Sequence, residues 1–179
     1  MNPAPNLVLV GPMGAGKTTI GKRLAVRLGL VFVDADQRLE QVTGAPVPLI
    51  FECEGEAGFR VREAQLIAEL MQARGQLIAT GGGAVLSAEN RQQLCAHGFV
   101  VYLKISVAQQ LERLARDHSR PLLATGDKHA KLHSLALTRN ALYEDVADMV
   151  FDSDSLVVAT AAERLGSLVE SHWQRGEAA

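Results

Sequence analysis

The stretch "GPMGAGKTT", residues 11–19, stands between the apolar run "NLVLV" (6–10) and the amphipathic run "IGKRLAVRLGL" (20–30). A glycine-rich turn that leaves a buried strand and enters a helix lets backbone N–H groups converge on an anion, helped by the positive end of the helix dipole. Gly11, Gly16, Lys17 and Thr18 complete the spacing G-x-x-x-x-G-K-[ST]. In that pattern the loop backbone cradles phosphate, the lysine reaches the β/γ oxygens and the hydroxyl ligates Mg²⁺. Nucleotide contacts are accordingly assigned to Gly14, Ala15, Gly16, Lys17, Thr18 and Thr19.

Outward from this loop the chain repeats a strand-then-helix rhythm. Strand-like runs fall at Leu7–Val10, Val31–Val33, Leu77–Ala79, Phe99–Leu103 and Met149–Phe151. Their apolar residues are continuous rather than alternating, as in parallel strands covered on both faces. Ile20, Leu24, Ala25 and Leu28 share one helical face, as do Leu66, Ile67, Leu70 and Met71. The expectation is an α/β fold: a doubly wound, five-stranded parallel sheet flanked by helices. The pattern weakens over "DHSRPLLATGDKH" (117–129), where a mobile lid is expected.

With 179 residues, 47% of them hydrophobic, the chain can bury one sizeable core, and a single domain over 1–179 is expected. A formal charge of −2 and a pI near 6.2 give no footprint for nucleic acid or an anionic membrane, so an anionic ligand must be held by locally placed arginines. Cys53 and Cys95 match no metal-ligand spacing and read as buried thiols of a reducing compartment. No run approaches a membrane span and "MNPAPN" has no export pattern, so a cytoplasmic protein is expected.

A phosphate loop alone does not choose between an ATPase, a GTPase and a small-molecule kinase. The guanine-specifying N-K-x-D pattern is absent and the length favours a compact kinase, whose acceptor would sit at the carboxyl edge of the sheet. Three clusters follow predicted strands there. Asp34 and Asp36 in "FVDAD" have extended i, i+2 spacing that points both carboxylates the same way. One can hold Mg²⁺ through water while the other takes a proton from an acceptor hydroxyl; capping of the next helix is the structural alternative. Gly81, Gly82 and Gly83 suit close approach of a ligand to backbone, or a flexible turn. Arg60, Arg113, Arg120 and Arg139 read singly as helix-face charges and gain meaning only together.

Together these features resemble the shikimate kinase family along nearly the full length. The stretches that carry the resemblance are "LVGPMGAGKTTIGKRLA", "FVDAD", "IFECEGEAGFRVRE", "ATGGGAV", "VVYLKIS", "RPLL" and "TRNALYEDVAD". A D-x-D after the second strand, F-R-x-x-E, a glycine triplet and R-P-L-L in this order separate it from gluconate and adenylate kinases. The resemblance implies transfer of the ATP γ-phosphoryl group to the 3-hydroxyl of shikimate, on the route to aromatic amino acids. It also implies Mg²⁺ as cofactor, an acceptor-binding helical region over 36–63 and a lid over 117–128; the absence of a long apolar surface stripe leads to the expectation of a monomer. By the same resemblance Asp36 binds the acceptor hydroxyls and acts as base, Asp34 supports Mg²⁺, and Arg60 and Arg139 clamp the carboxylate. Gly81, Gly82 and Gly83 offer backbone contacts to the ring hydroxyls, Arg120 descends from the lid onto the phosphates, and Arg113 lies beside the adenine. Lys17, Asp36 and Arg120 form the catalytic set.

Two departures qualify the carry-over. Pro46 and Pro48 predict a shifted start for the next helix, since proline fits a first helical turn. The segment 152–165 lacks the arginine that some members of the resembled family place in the adenine loop, leaving backbone contacts there. His129 and His133, spaced i, i+4, find no third ligand nearby in sequence. Phe51 and Phe59 read as core or, by the resemblance, as acceptor-pocket wall. Trp173 reads as packing for the terminal helix with Leu165 and Val169.

Overall fold

The computed structural model describes residues 4–115 and 126–174. Five parallel strands, β1 (Asn6–Val10), β2 (Val31–Asp34), β3 (Gln76–Ala79), β4 (Gly98–Lys104) and β5 (Met149–Asp152), form one sheet in the order β2-β3-β1-β4-β5. Between them run α1 (Lys17–Leu28), α2 (Ala35–Thr43), α3 (Val47–Gln72), α4 (Ala88–His97), α5 (Val107–Leu114), α6 (Lys128–Val146) and, after β5, α7 (Val158–His172). A 3₁₀ turn at Ala84–Leu86 follows β3. Each expected strand lies within an observed one.

The continuous apolar runs serve two cores at once, because successive side chains of a strand leave opposite faces. Leu7, Leu9, Leu77, Phe99, Val101 and Leu103 pack under α1 and α7 with Ile20, Leu24, Leu165 and Val169. Val8, Val10, Ile78, Val100 and Tyr102 pack on the other face with Leu39, Leu66, Ile67, Leu94 and Tyr143. Trp173 closes the first core, stacked on Phe99 with its indole N–H donated to the Ala4 carbonyl at 3.0 Å.

In α3, Pro46 stands at the N-cap and Pro48 lies in the first turn, where their lack of an N–H is harmless. The helix is then interrupted at Gly55, whose φ of 69° and ψ of −178° belong to a region open almost only to glycine. Both cysteines are exposed, which corrects the expectation of buried thiols. Cys53 lies on the outer side of α3 just before the break at Gly55, and Cys95 on a short surface helix, so their apolar character did not decide their place. Among the described residues no helix is long and apolar enough to cross a membrane.

Candidate active site

The phosphate loop leaves β1 at Gly11, where a Cβ would stand 2.5 Å from the Leu103 carbonyl oxygen and φ is +143°. Only glycine passes that point without moving β4. Gly16 caps α1 in a left-handed conformation, turning the helix N-terminus towards the loop interior. The Lys17 ammonium donates to the Gly11 and Pro12 carbonyls at 2.7 and 2.9 Å, a self-closed arrangement spanning the loop. Thr18 donates its hydroxyl to Asp34 Oδ2 at 2.6 Å, tying α1 to the end of β2.

Asp34 and Asp36 are both at the sheet edge, but not as an extended pair. Asp34 ends β2 and caps α2, with its Oδ1 accepting from the N–H groups of Asp36 and Gln37. Asp36 lies in the first helical turn instead of in extended chain. The cap explains the difference: an acceptor at the N-terminus satisfies free N–H groups and starts the helix at once. Both carboxylates nonetheless line one open cavity of about 650 Å³, with Gly14, Gly16, Lys17, Thr18, Thr19 and Arg113. Ala15, within the loop, is fully buried against the core. Arg113 spans the far side, donating to the Gly14 and Ser153 carbonyls at 3.1 and 3.2 Å, beside Leu156, Val157 and Val158.

A second cavity, about 70 Å³, adjoins the first and is lined by Asp36, Arg60, Glu63, Gly81, Gly82, Gly83 and Arg139 with the rings of Phe51 and Phe59. Met13, Asp36 and Gly82 line both cavities, so the two share a wall. The Phe rings lie 4.6 Å apart, and the Arg60 guanidinium sits 5.1 Å from the Phe59 ring centre. Arg139, buried on α6, lines the same small chamber.

The glycine triplet follows from crowding by protein groups. A Cβ on Gly83 would fall 2.2 Å from Arg60 Nη2, and one on Gly81 would fall 2.8 Å from Glu63 Oε1 and 3.0 Å from Asp36 Oδ1. A Cβ on Gly82 would meet nothing closer than the Met13 nitrogen at 3.5 Å. Gly82 is tied down differently, by the Tyr143 hydroxyl, which donates to its carbonyl.

Glu63 and Tyr143 carry roles that the sequence reading did not assign. Glu63 belongs to the F-R-x-x-E stretch, so its i, i+3 relation to Arg60 was the available signal; Tyr143 had none beyond its place after Arg139. Glu63 Oε2 accepts from Arg60 Nη1 at 2.8 Å, and Glu56 takes the other Arg60 nitrogen at 2.9 Å. Burial pushes the Glu63 carboxyl above its ordinary range; Arg60 opposes this and nearby Asp36 reinforces it. Burial works against the Arg60 charge, but Glu63 and Glu56 outweigh it and hold the guanidinium above its usual value.

Among the described residues, Arg60 Nε, Arg139 Nε and Glu63 Oε1 are buried without a hydrogen-bond partner. Two donors and one acceptor left unmatched around a small chamber are costly unless something else meets them. Their chemistry suits a carboxylate flanked by hydroxyls. The donor pair at the other cavity, the Thr18 hydroxyl and Asp34 carboxylate, is the hard-oxygen set that Mg²⁺ takes together with water and phosphate. Arg120 and positions 117–125 of the expected lid lie outside the described residues. Of the lid's end, Asp127 caps α6 by accepting from the His129 and Ala130 N–H groups.

Comparison with known proteins gives a consistent result. The family model described as Shikimate kinase matches residues 13–170. The chain is 53% identical over 175 residues to the shikimate kinase of Stenotrophomonas maltophilia, covering 98% of this chain and 97% of the relative. It is 52% identical over 174 residues to that of Xanthomonas euvesicatoria, covering 97% of each. The shikimate kinase of Acinetobacter baumannii, solved in complex with shikimate, superposes with a TM-score of 0.91 at 44% identity and 95% coverage of both chains. That of Aquifex aeolicus superposes with a TM-score of 0.79 at 27% identity, covering 93% of this chain and 98% of the other.

Proposed function

The chain belongs to the shikimate kinase family, and from that premise we propose that it transfers the ATP γ-phosphoryl group to the 3-hydroxyl of shikimate, giving shikimate 3-phosphate and ADP for aromatic amino acid biosynthesis. One observation carries the reading: a phosphate-loop cavity and a small chamber with unmatched arginine donors share the wall of Met13, Asp36 and Gly82. A nucleotide tail and a small polyhydroxy acid can meet there across Asp36.

The roles follow from the chemistry of each group. Arg60 and Arg139 take the acceptor carboxylate, since planar guanidinium forks match a carboxylate better than an ammonium does. Asp36, on the shared wall, takes the hydroxyl that attacks and accepts its proton. Glu63 Oε1 meets a neighbouring hydroxyl, and Arg60 is held by Glu63 and Glu56 for the carboxylate. Lys17 exchanges its bonds to the Gly11 and Pro12 carbonyls for phosphate oxygens, with Gly14, Ala15, Gly16 and Thr19 supplying the surrounding loop. Thr18 and Asp34 would hold Mg²⁺, the Asp34 oxygens acting through water because they already serve Thr18 and the α2 cap. When bound, that ion neutralises phosphate charge. Arg113 is assigned to the base-binding side beside Leu156 to Val158, and Arg120 to the phosphates from a lid that closes after substrate binding and keeps water out. Phosphoryl transfer asks the protein chiefly for position and charge, and these groups supply both. A cytoplasmic monomer completes the reading.

A coupled ADP-release assay over a panel of hydroxy acids tests it. ADP release that depends on shikimate is expected; release with gluconate and none with shikimate would overturn it.

A further inference from the structure

Tyr143 is buried at 1% exposure, directly behind Gly82, which lines both cavities. Its ring stacks on Tyr102 at 5.0 Å within an apolar cluster, where phenylalanine would pack equally well. The hydroxyl is therefore the feature that needs a reason, since burying it is costly without a partner. That partner is the carbonyl of Gly82, the one glycine of the triplet that no side chain crowds. Because the peptide is planar and trans, fixing that carbonyl fixes the whole Gly82–Gly83 peptide plane and turns the Gly83 N–H away from Tyr143. Gly83 is also the seat of the Arg60 guanidinium. The Arg139 guanidinium acts on the same phenol oxygen, so this atom lies between the arginine on α6 and the glycine loop.

We propose that Tyr143 is a positioning residue for the acceptor: its hydroxyl locks the Gly82–Gly83 peptide and, through it, the spacing of Arg60 and Arg139 around the chamber. The inference rests on the shikimate reading above. It concerns the shape of the acceptor chamber, where Gly83 seats Arg60, while the phosphate loop is held separately by β1 and α1. Burial pushes the Tyr143 hydroxyl above its ordinary range, with Arg139 and Arg60 opposing and Tyr102 reinforcing the shift, so the group remains a proton donor at neutral pH.

The test is steady-state kinetics of the full chain with Tyr143→Phe, using Tyr102→Phe as the matched control. Tyr102 is equally buried in the same stack, is pushed up to about 12 by burial, and donates to Asn140 at a long 3.4 Å away from the triplet. Tyr143→Phe should raise KM for shikimate roughly tenfold, the scale of one buried hydrogen bond, with KM for ATP and kcat within about twofold. Tyr102→Phe should leave all three unchanged. An unchanged KM for shikimate in Tyr143→Phe, or the same rise in Tyr102→Phe, overturns the proposal. No shikimate-dependent ADP release by the wild-type chain would fault the shikimate reading itself and the proposal with it. Should Tyr143→Phe not fold, 3,5-difluorotyrosine at position 143 keeps ring and hydroxyl but loses its proton more easily. The alkaline rise of KM for shikimate should then begin at lower pH than in the wild type, and a coincident profile would overturn the tether.

Discussion

Asp36 stands where the two cavities meet, and the effect of removing its charge separates chemistry from architecture. Asp36→Asn should lower kcat at least ~10²-fold, the lower end of general acid-base contributions, with little change in nucleotide affinity. Equal loss of both, measured by turnover and nucleotide titration, would make the residue structural. The glycine triplet offers a sharper comparison. In Gly83→Ala the new methyl displaces the Arg60 guanidinium, the movable end of a long side chain, so acceptor binding should weaken by about 1–2 kcal/mol while thermal stability holds. Gly82→Ala, whose Cβ meets only ordinary contacts, should bind acceptor nearly as the wild type does. Calorimetric titration with shikimate checks both. At this scale the residue types were legible but their reasons were not. In sequence the triplet suits close approach of a ligand or a flexible turn; what the fold adds is that Gly81 and Gly83 also make room for Glu63, Asp36 and Arg60, which belong to elements some 20 to 50 positions away.

Elements carry double duties that single residues do not reveal. Asp34 is at once the cap of α2 and the partner of Thr18. Asparagine keeps an oxygen for capping but loses the charge. Asp34→Asn should therefore stay within about 0.5 kcal/mol of wild-type stability and lose most activity, while Asp34→Ala should lose activity and a further ~1 kcal/mol or more of stability. Urea unfolding beside the ADP assay distinguishes the two. On α3, Glu63 gives the fold a pH slope. Its folded pKa is raised above the ordinary 4.5, so the native chain binds that proton more tightly than the unfolded chain does. The stability this adds is full below the unfolded value and is lost as pH rises through the folded one. Glu63→Gln should flatten that part of the curve, measured by urea unfolding from about pH 4 to pH 7. The amphipathic faces of α1 and of the second half of α3 were legible because apolar side chains recur at helical spacing. The break at Gly55 was not: the residues on either side of it are good helix formers, and only the backbone conformation reveals it.

Across the whole molecule, the parallel sheet covered on both faces was legible in strand runs that are apolar at every position, as at Leu7 to Val10, whereas the strand order and the division into two cores come from the fold. What sequence could not supply was the meeting of α6 with the β3 exit, where Tyr143 reaches Gly82 across 61 positions of chain. The ends of the described chain are brought together by the Trp173 indole on the Ala4 carbonyl. Trp173→Ala should cost about 3 kcal/mol or more in urea unfolding, in line with emptying a large aromatic site. Because Trp173 lines neither cavity, KM values of the folded fraction should stay put.

Met13, Asp36 and Gly82 each face both chambers, so the two lie directly against one another. Compounds that join an adenosine polyphosphate to a cyclic acid by a bridge of a few atoms could therefore occupy both chambers in a single event. Each half would hold the other at high effective concentration, so such a conjugate should inhibit far more strongly than an equimolar mixture of its fragments.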